Sequence, residues 1–396
     1  MNALFILSNS PGEVSGWMRP VTEALAKKNA GLNITGVTLP CQYASGMEAH
    51  SVRTLPGVTG VVPFREALFS TKLGRGLILQ LGGDPVYGCA LSLRMRTPWM
   101  IYSARPRWSW FVRHYFVPDD FSLQRFERAR IARDRRTLVG NLILDSVPER
   151  DSCHVDEFRA HYGLASENII CFMPGSRPFE YELGFPFFCE CARILRRRFP
   201  TWHAILPVAP TVDDRYLRAG LTRMGFSWRG GERVDEIIID GSYRVPLVRS
   251  MQSDAIAASS LAVAFPGTNN LQIAALGVPL FMIAPLNQAE NIPLDGVPGF
   301  VPTSRPPMRN IKKKVVFMYN AKEKYVSLPN RIVGREILPE RRELMTPEST
   351  CAYISELIES PERLKKIKKE YAKMNLYRGA AEKIAQKVVE FFDKNR

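Results

Sequence analysis

Four turns in this chain carry the residue types that acid–base chemistry and anion binding need. Leu81-Gly-Gly-Asp84-Pro85 follows Gly76 to Gln80, a short apolar run that reads as a buried strand. An acid placed just after two glycines at a strand end is free of side-chain crowding, which suits a general base; a Gly-Asp-Pro turn suits equally an acid that only caps the next helix. Asn9-Ser-Pro-Gly-Glu-Val-Ser-Gly16 follows another apolar run, Ala3 to Ser8, so Glu13, Ser15 and Gly16 fall either within reach of a substrate or in a structural loop. Pro174-Gly-Ser-Arg177 offers backbone donors at Ser176 and a guanidinium able to grip a phosphate with two parallel bonds. Pro266-Gly267-Thr268-Asn269-Asn270 then opens a helix whose free N–H groups could meet an anion such as a diphosphate; turns of this kind are also an ordinary part of doubly wound folds.

Each turn stands between an apolar run and a helical stretch. That is the layout of a parallel sheet whose loops gather at the carboxyl ends of its strands. Ile34 to Thr38, Trp99 to Ser103 and Tyr115 to Pro118 supply further strands of a first domain, 1–150, with helices over Arg19 to Lys28 and Ser122 to Ala132. The chain between Thr38 and Gly60 reads as irregular. A second domain, 151–345, repeats the scheme with strands at Asn168 to Met173, Ala204 to Val208, Glu236 to Ile239, Leu261 to Phe265 and Leu280 to Ile283. Its helices fall at His154 to Tyr162, Phe185 to Arg198 and Asp254 to Ser260. Leu286 to Lys324, rich in Pro, Gly and Lys, is either a functional loop or partly disordered. Residues 346–396 form C-terminal helices that could pack back on the first domain. The expected class is α/β, two Rossmann-like parallel-sheet domains facing a cleft. With no GxGxxG fingerprint or P-loop, a sugar-nucleotide transferase is favoured over a nicotinamide enzyme or an NTPase.

Composition narrows the setting. No run approaches the ~20 apolar residues that span a bilayer, and the N-terminal segment reads as a strand and not as a signal peptide, so a cytoplasmic protein is expected. The seven cysteines and five histidines are scattered, which gives neither a disulfide framework nor a zinc site. The net charge of +15 is concentrated between Arg94 and Arg136, where eleven arginines stand against four acids, interleaved with Trp99, Trp108, Trp110, Phe111, Tyr115 and Phe116. Basic residues mixed with aromatics suit an anionic membrane surface, and no nucleic-acid-binding signature accompanies them.

Read together, the motifs resemble lipid-A-disaccharide synthases, a family of GT-B-fold glycosyltransferases. Tyr325-Val-Ser-Leu-Pro-Asn330-Arg-Ile-Val-Gly334-Arg335-Glu336 is similar to the family's VSLPN-x-x-x-GRE signature. Gly12-Glu13-Val-Ser15-Gly16 resembles GEASGD, Gly83-Asp84 its GID, Trp108-Ser-Trp110 its WAW, Val139-Gly140 with Asp145 its VGH-x-x-x-D, Pro174 to Arg177 its LPGSR, and Gly267-Thr268 with Leu271 its SGTATLE. Trp17, Asn141 and Gln272 replace the family's Asp, His and Glu at their positions. The stretch from Val58 to Leu81 is shorter than the family's by about one helix, judged by motif spacing.

The resemblance implies an inverting transfer, without metal or other cofactor, of 2,3-diacylglucosamine from its UDP conjugate to 2,3-diacylglucosamine 1-phosphate. It implies Asp84 as the base and Glu13, Ser15 and Gly16 in the cleft. Ser176, Arg177, Gly267, Thr268, Asn269 and Gln272 would hold the donor, and Asn330, Arg335 and Glu336 would line its nucleotide side. The basic-aromatic segment would meet the inner membrane; a homo-oligomer stays open. Three alternatives also stay open: a GT-B transferase with another lipid acceptor, a UDP-sugar epimerase, and a non-catalytic relative that binds nucleotide sugars.

Overall fold

The computed structural model describes the chain except residues 1, 2, 9, 10, 29, 30, 41–47, 71–73, 75, 165–167, 210, 211, 232, 233, 242, 292–305, 375 and 396. Two compact units emerge, Met1–Ser146 joined by Asn375–Arg396, and Val147–Met374.

The first unit holds β1 (Ala3–Ser8), β2 (Asn33–Thr38), β3 (Val58–Pro63), β4 (Gly76–Gln80), β5 (Trp99–Tyr102), β6 (His114–Val117) and β7 (Arg136–Leu138). They form one seven-stranded sheet in the order β3-β2-β1-β4-β5-β6-β7, parallel throughout. Strand side chains alternate between faces, and here both faces are covered, which is why the central strands read as unbroken apolar runs. Leu4 and Ile6 of β1 pack on one side with Leu25, Ile384 and Val388; Phe5 and Leu7 face the other with Trp99, Tyr115 and Phe126. The helix Ala380–Lys394 thus completes the first unit. Asp145 fixes its start, with Oδ1 accepting from the Gly379 amide and Oδ2 from the Ala381 amide, both at 2.7 Å. Gly140, at φ +108°, lets Tyr377 approach so closely that a Cβ would lie 2.6 Å from its carbonyl oxygen. The helices Pro347–Ile358 and Pro361–Ala372, by contrast, belong to the second unit.

That unit holds β8 (Ile169–Met173), β9 (His203–Pro207), β10 (Ser227–Arg229), β11 (Asp235–Ile239), β12 (Tyr243–Val248), β13 (Leu261–Ala264), β14 (Leu280–Ile283) and β15 (Glu340–Arg341). The sheet order is β10-β11-β12-β9-β8-β13-β14-β15; β10, β11 and β12 pair antiparallel and the rest run parallel. The long helix Pro178–Arg198 covers one face, setting Tyr181, Phe185 and Phe188 against Phe172 and Val263, each such ring contributing roughly 1.5–3 kcal/mol by burial.

Several segments differ from the sequence expectation. Val58–Pro63 is a strand that begins inside the stretch expected to be irregular as far as Gly60, and Phe64–Phe69, to which no element was assigned, is a helix. The first loop is helical from Pro11, passing through a π turn at Val14–Met18. Within the expected insertion, Leu286–Asn291 is a 3-10 turn and Pro306–Lys322 an α-helix; residues 292–305, like residues 9 and 10 of the first loop, lie outside the described residues.

Candidate active site

In the first unit, β1 and β4 are hydrogen-bonded neighbours, so their carboxyl ends lie side by side. This brings Glu13 onto the Gly-Gly-Asp turn. The Gly83 amide lies 3.5 Å from Glu13 Oε1, and a Cβ on Gly82 would collide with the Glu13 carboxylate. Glycine at 82 is thus required by a close approach, and Gly83 sits at φ +73°. Asp84 follows in extended conformation, half-buried, and caps the helix Pro85–Met95: Oδ1 accepts from the Val86 amide at 2.9 Å. Among the described residues its Oδ2 takes no hydrogen bond. The capping reading of the Gly-Asp-Pro turn is thus what the geometry shows, through one oxygen of Asp84. Ser15 is exposed, with its hydroxyl 3.5 Å from the Gly12 carbonyl, and Gly16 is buried within the π turn.

In the second unit, β8 and β13 are adjacent, so the turns that follow them come together at the carboxyl edge. Ser176, Arg177, Gly267, Thr268, Asn269 and Gln272 are gathered by these two turns and the helix Asn269–Ala275. Gly184 on the long helix has no room for a side chain because Phe265 lies against it, which draws the two turns together. The donors of the Gly-Ser-Arg turn are not open, however. Glu180 Oε2 accepts from the Ser176 amide at 2.7 Å and from the Arg177 amide at 2.8 Å. Burial pushes the Glu180 carboxyl up, while the Arg177 guanidinium, 4.0 Å away, and the two amides act in the opposite sense. An internal carboxylate thus occupies the place where the sequence suggested an external anion. Beside it, Asn270, wholly buried, donates from Nδ2 to the Phe265 carbonyl at 2.9 Å and shapes the second turn.

The signature from Tyr325 to Glu336 is organised differently. Asn330 is buried, and its carboxamide is fully engaged: Nδ2 donates to the Leu338 carbonyl and Glu340, and Oδ1 accepts from the Ile337 and Leu338 amides at 2.8 and 3.1 Å. Glu340 is the hub, accepting also from the Val326 amide at 3.0 Å and from both the amide and hydroxyl of Ser327. The structure therefore gives Asn330 a bracing role within the chain. Arg335 and Glu336 are exposed on the chain that enters β15 at its amino end, away from the carboxyl-edge turns, and Arg335 pairs with Glu370. The helix Leu328–Val333 packs against the helix Asn269–Ala275, so the signature supports the second turn from behind.

The roles of three residues that organise these turns escaped the sequence reading: Glu180, Glu340 and Gln80. Gln80 gave a signal, as a polar end to an otherwise apolar buried strand, and Glu180 another, as an acid in the first turn of a helix; Glu340 gave none. Among the described residues no cluster of His, Cys, Asp and Glu could hold a metal ion, and no helix is long and apolar enough to cross a membrane.

Two parallel-dominated sheets, with glycine-bearing turns at their strand ends, define an α/β protein of the GT-B type. Solved structures agree in fold: the UDP-GlcNAc 2-epimerase from Neisseria meningitidis bound to UDP-GlcNAc matches with a TM-score of 0.60 at 14% identity, covering 100% of both chains. The MnaA–UDP co-structure from S. aureus matches with a TM-score of 0.58 at 10% identity, over 99% of this chain and 97% of that one. No protein-family model matches the chain. Curated relatives do. The lipid-A-disaccharide synthase of Syntrophus aciditrophicus is 26% identical over 265 residues, 65% of this chain and 58% of that protein, and that of Gloeothece citriformis is 24% identical over 315 residues, 75% and 70%. This chain is similar to the lipid-A-disaccharide synthases as a divergent relative, at 24–27% identity over 64–75% of its length. Its match spans 58% of the length of the first relatives.

Proposed function

We propose that the protein is an inverting glycosyltransferase that moves 2,3-diacylglucosamine from UDP-2,3-diacylglucosamine to the 6-hydroxyl of 2,3-diacylglucosamine 1-phosphate, yielding the disaccharide and UDP. Asp84 carries the reading. Its Oδ1 is held by the Val86 amide and its Oδ2 is left to take the acceptor proton. As that proton leaves, the acceptor oxygen bonds to the anomeric carbon from the face opposite UDP, and the carbon–oxygen bond to the diphosphate breaks with its electron pair going to UDP. The turns carrying Arg177 and Gly267-Thr268 hold the diphosphate, with Arg177 and the helix amides countering its charge and no metal required. The curated relatives and the GT-B fold support the donor class. Peripheral binding to an anionic membrane belongs to the same reading. It is supported by Trp110, 94% exposed on a turn braced from within by Arg135, which donates to the Ser109 and Val112 carbonyls, and by Tyr115, which donates to the Arg107 carbonyl at 2.6 Å.

Asp84→Asn tests the mechanism, because Asn keeps the helix cap while removing the base. UDP release from the named substrate pair should fall by roughly 100-fold or more, with UDP affinity unchanged within about twofold. Retention of most turnover would remove Asp84 from the base role. Donor incubated alone should yield no new UDP-sugar; its appearance would mark an epimerase.

A further inference from the structure

Gln80 ends β4, and it is the one polar side chain in the run Gly76-Leu-Ile-Leu-Gln80. It is wholly buried. Its Nε2 lies 3.0 Å from the Gly82 carbonyl oxygen, 3.4 Å from that of Gly83 and 2.9 Å from that of Asp84. Carbonyl oxygens only accept, so three of them around one end of the carboxamide identify that end as the NH₂. Two N–H bonds then serve three acceptors, and the shorter contacts, to Gly82 and Asp84, dominate. One side chain ties together the backbone of the whole Gly-Gly-Asp turn.

The carboxamide is held from its other side as well. A Cβ on Gly88 would collide with Gln80 Oε1 and with the Trp99 indole nitrogen, so the helix Pro85–Met95 reaches Gln80 because residue 88 has no side chain. Among the described residues, neither Gln80 Oε1 nor Trp99 Nε1 has a hydrogen-bond partner, and both atoms converge on the space before Gly88. A polar group buried this way is costly to a fold. Its three carbonyl contacts all fall on the turn that presents Asp84, and a plain apolar residue would fill the same space without holding that turn.

We infer that Gln80 is a positioning residue: it fixes the backbone from Gly82 to Asp84 and so sets where the Asp84 carboxylate points. The catalytic part of this inference rests on the reading of Asp84 as the base. Displacing a reacting group by about 1 Å can cost 100-fold in rate, so a brace of this kind should act on kcat and hardly on KM.

The test uses the full chain with Gln80→Met and Gln80→Glu, beside Asp84→Asn. Met matches Gln in length and removes the donors. It should lower kcat by about 10- to 100-fold, leave both KM values and UDP affinity near wild type, and speed hydrogen exchange of the amides from 82 to 87. Glu donates only when protonated, and ionised it sets a carboxylate against three carbonyl oxygens. Its kcat per folded enzyme, with the folded fraction measured at each pH by circular dichroism, should therefore rise relative to wild type as the pH is lowered, which a loss of stability alone would not produce. Gln80→Met with wild-type kcat overturns the inference, whether or not exchange quickens. If Asp84→Asn stays active while Gln80→Met loses turnover and exchanges faster, the base assignment falls and the brace stands. Should Gln80→Met fail to fold, Gln80→Glu gives the comparison within one protein: a flat pH ratio overturns the inference and a rising one supports it.

Discussion

Replacing Glu340 by Ala should loosen the whole Tyr325 to Glu336 segment. The Glu340 carboxylate accepts from the Val326 amide at 3.0 Å, the Ser327 amide at 3.2 Å, the Ser327 hydroxyl at 2.8 Å and Asn330 Nδ2 at 3.1 Å, and faces Arg342 Nε at 3.5 Å. Its side chain is 6% exposed, so solvent can replace few of these bonds. The Ser327 hydroxyl can turn to another acceptor, and Asn330 keeps its bond to Leu338. The two backbone amides and the Arg342 charge lose most, at about 1–3 kcal/mol for each buried group left unsatisfied, which places the total near 3–5 kcal/mol. Native-state hydrogen exchange measures the segment itself, which matters in a protein of two units where one unfolding midpoint mixes both. Amides of the helix Leu328–Val333 should exchange at least about 100-fold faster in Glu340→Ala, since each 1.4 kcal/mol is a factor of ten. Glu340→Gln, which keeps one acceptor oxygen, should fall between. Exchange within about threefold of wild type in Glu340→Ala would show that the hub is not where this segment's stability lies.

Two further outcomes follow from the first unit. Burial holds His114 at about 4, with Lys387 adding to the effect, so the folded state keeps the ring neutral while the unfolded chain binds a proton below about 6.5. Its contribution is complete above that value and is lost as pH falls toward 4; His114→Gln, able to keep the bond to Thr137 Oγ1, should flatten the fall in melting temperature between pH 7 and 5, and an unchanged slope would assign the effect elsewhere. Trp110→Ser with Phe111→Ser should cut cosedimentation with phosphatidylglycerol vesicles about tenfold or more, given the burial energy of two rings, and equal binding by the variant would remove this turn from the membrane contact.

What the sequence displayed was decided by local rules. Unbroken apolar runs such as Leu4 to Leu7 and Leu261 to Ala264 announced strands covered on both faces, and the four turns announced themselves through glycine. What stayed hidden was decided by partners distant in the chain. Val58–Pro63 carries Gly60 and Pro63 and is only half-buried, yet as an edge strand it needs pairing with β2 alone. Tyr243–Val248 contains Pro246, tolerated because β9 pairs only with Leu247 and Val248. The helix Pro178–Arg198 runs through Pro186, which packs against Gly220, and Pro306–Lys322 places its prolines in the first turn, where no N–H is needed. At the candidate site the division is less clean: Asp84 was visible from its glycines, the capture of the Ser176 and Arg177 amides by Glu180 is a local capping contact, and only the hold of Glu340 on Val326 and Ser327 joins residues well apart in the chain.

The motif letters that this chain shares with its relatives fall into two physical classes. Asn330, Gly140 and Asp145 are engaged by the chain itself: Asn330 braces the entry to β15, Gly140 admits Tyr377, and Asp145 caps the last helix. Substituting any of them would move stability first and activity second. Asp84, Gly267 and Thr268 stand in turns at strand ends, and the Glu13 carboxylate lies against the turn that carries the first of them. Glu180 stands between the classes, because its carboxylate now satisfies the amides that an incoming diphosphate would need. A diphosphate reaching that turn must displace the carboxylate, share Arg177 with it, or bind through Arg177 and the Gly267 turn alone. The last route leaves the Glu180 bonds intact and costs least, because the carboxylate then keeps both short amide bonds and the helix keeps its cap. On the proposed reading, donor binding would accordingly fall to the guanidinium and the second turn, with the Ser176 and Arg177 amides held by Glu180 behind them.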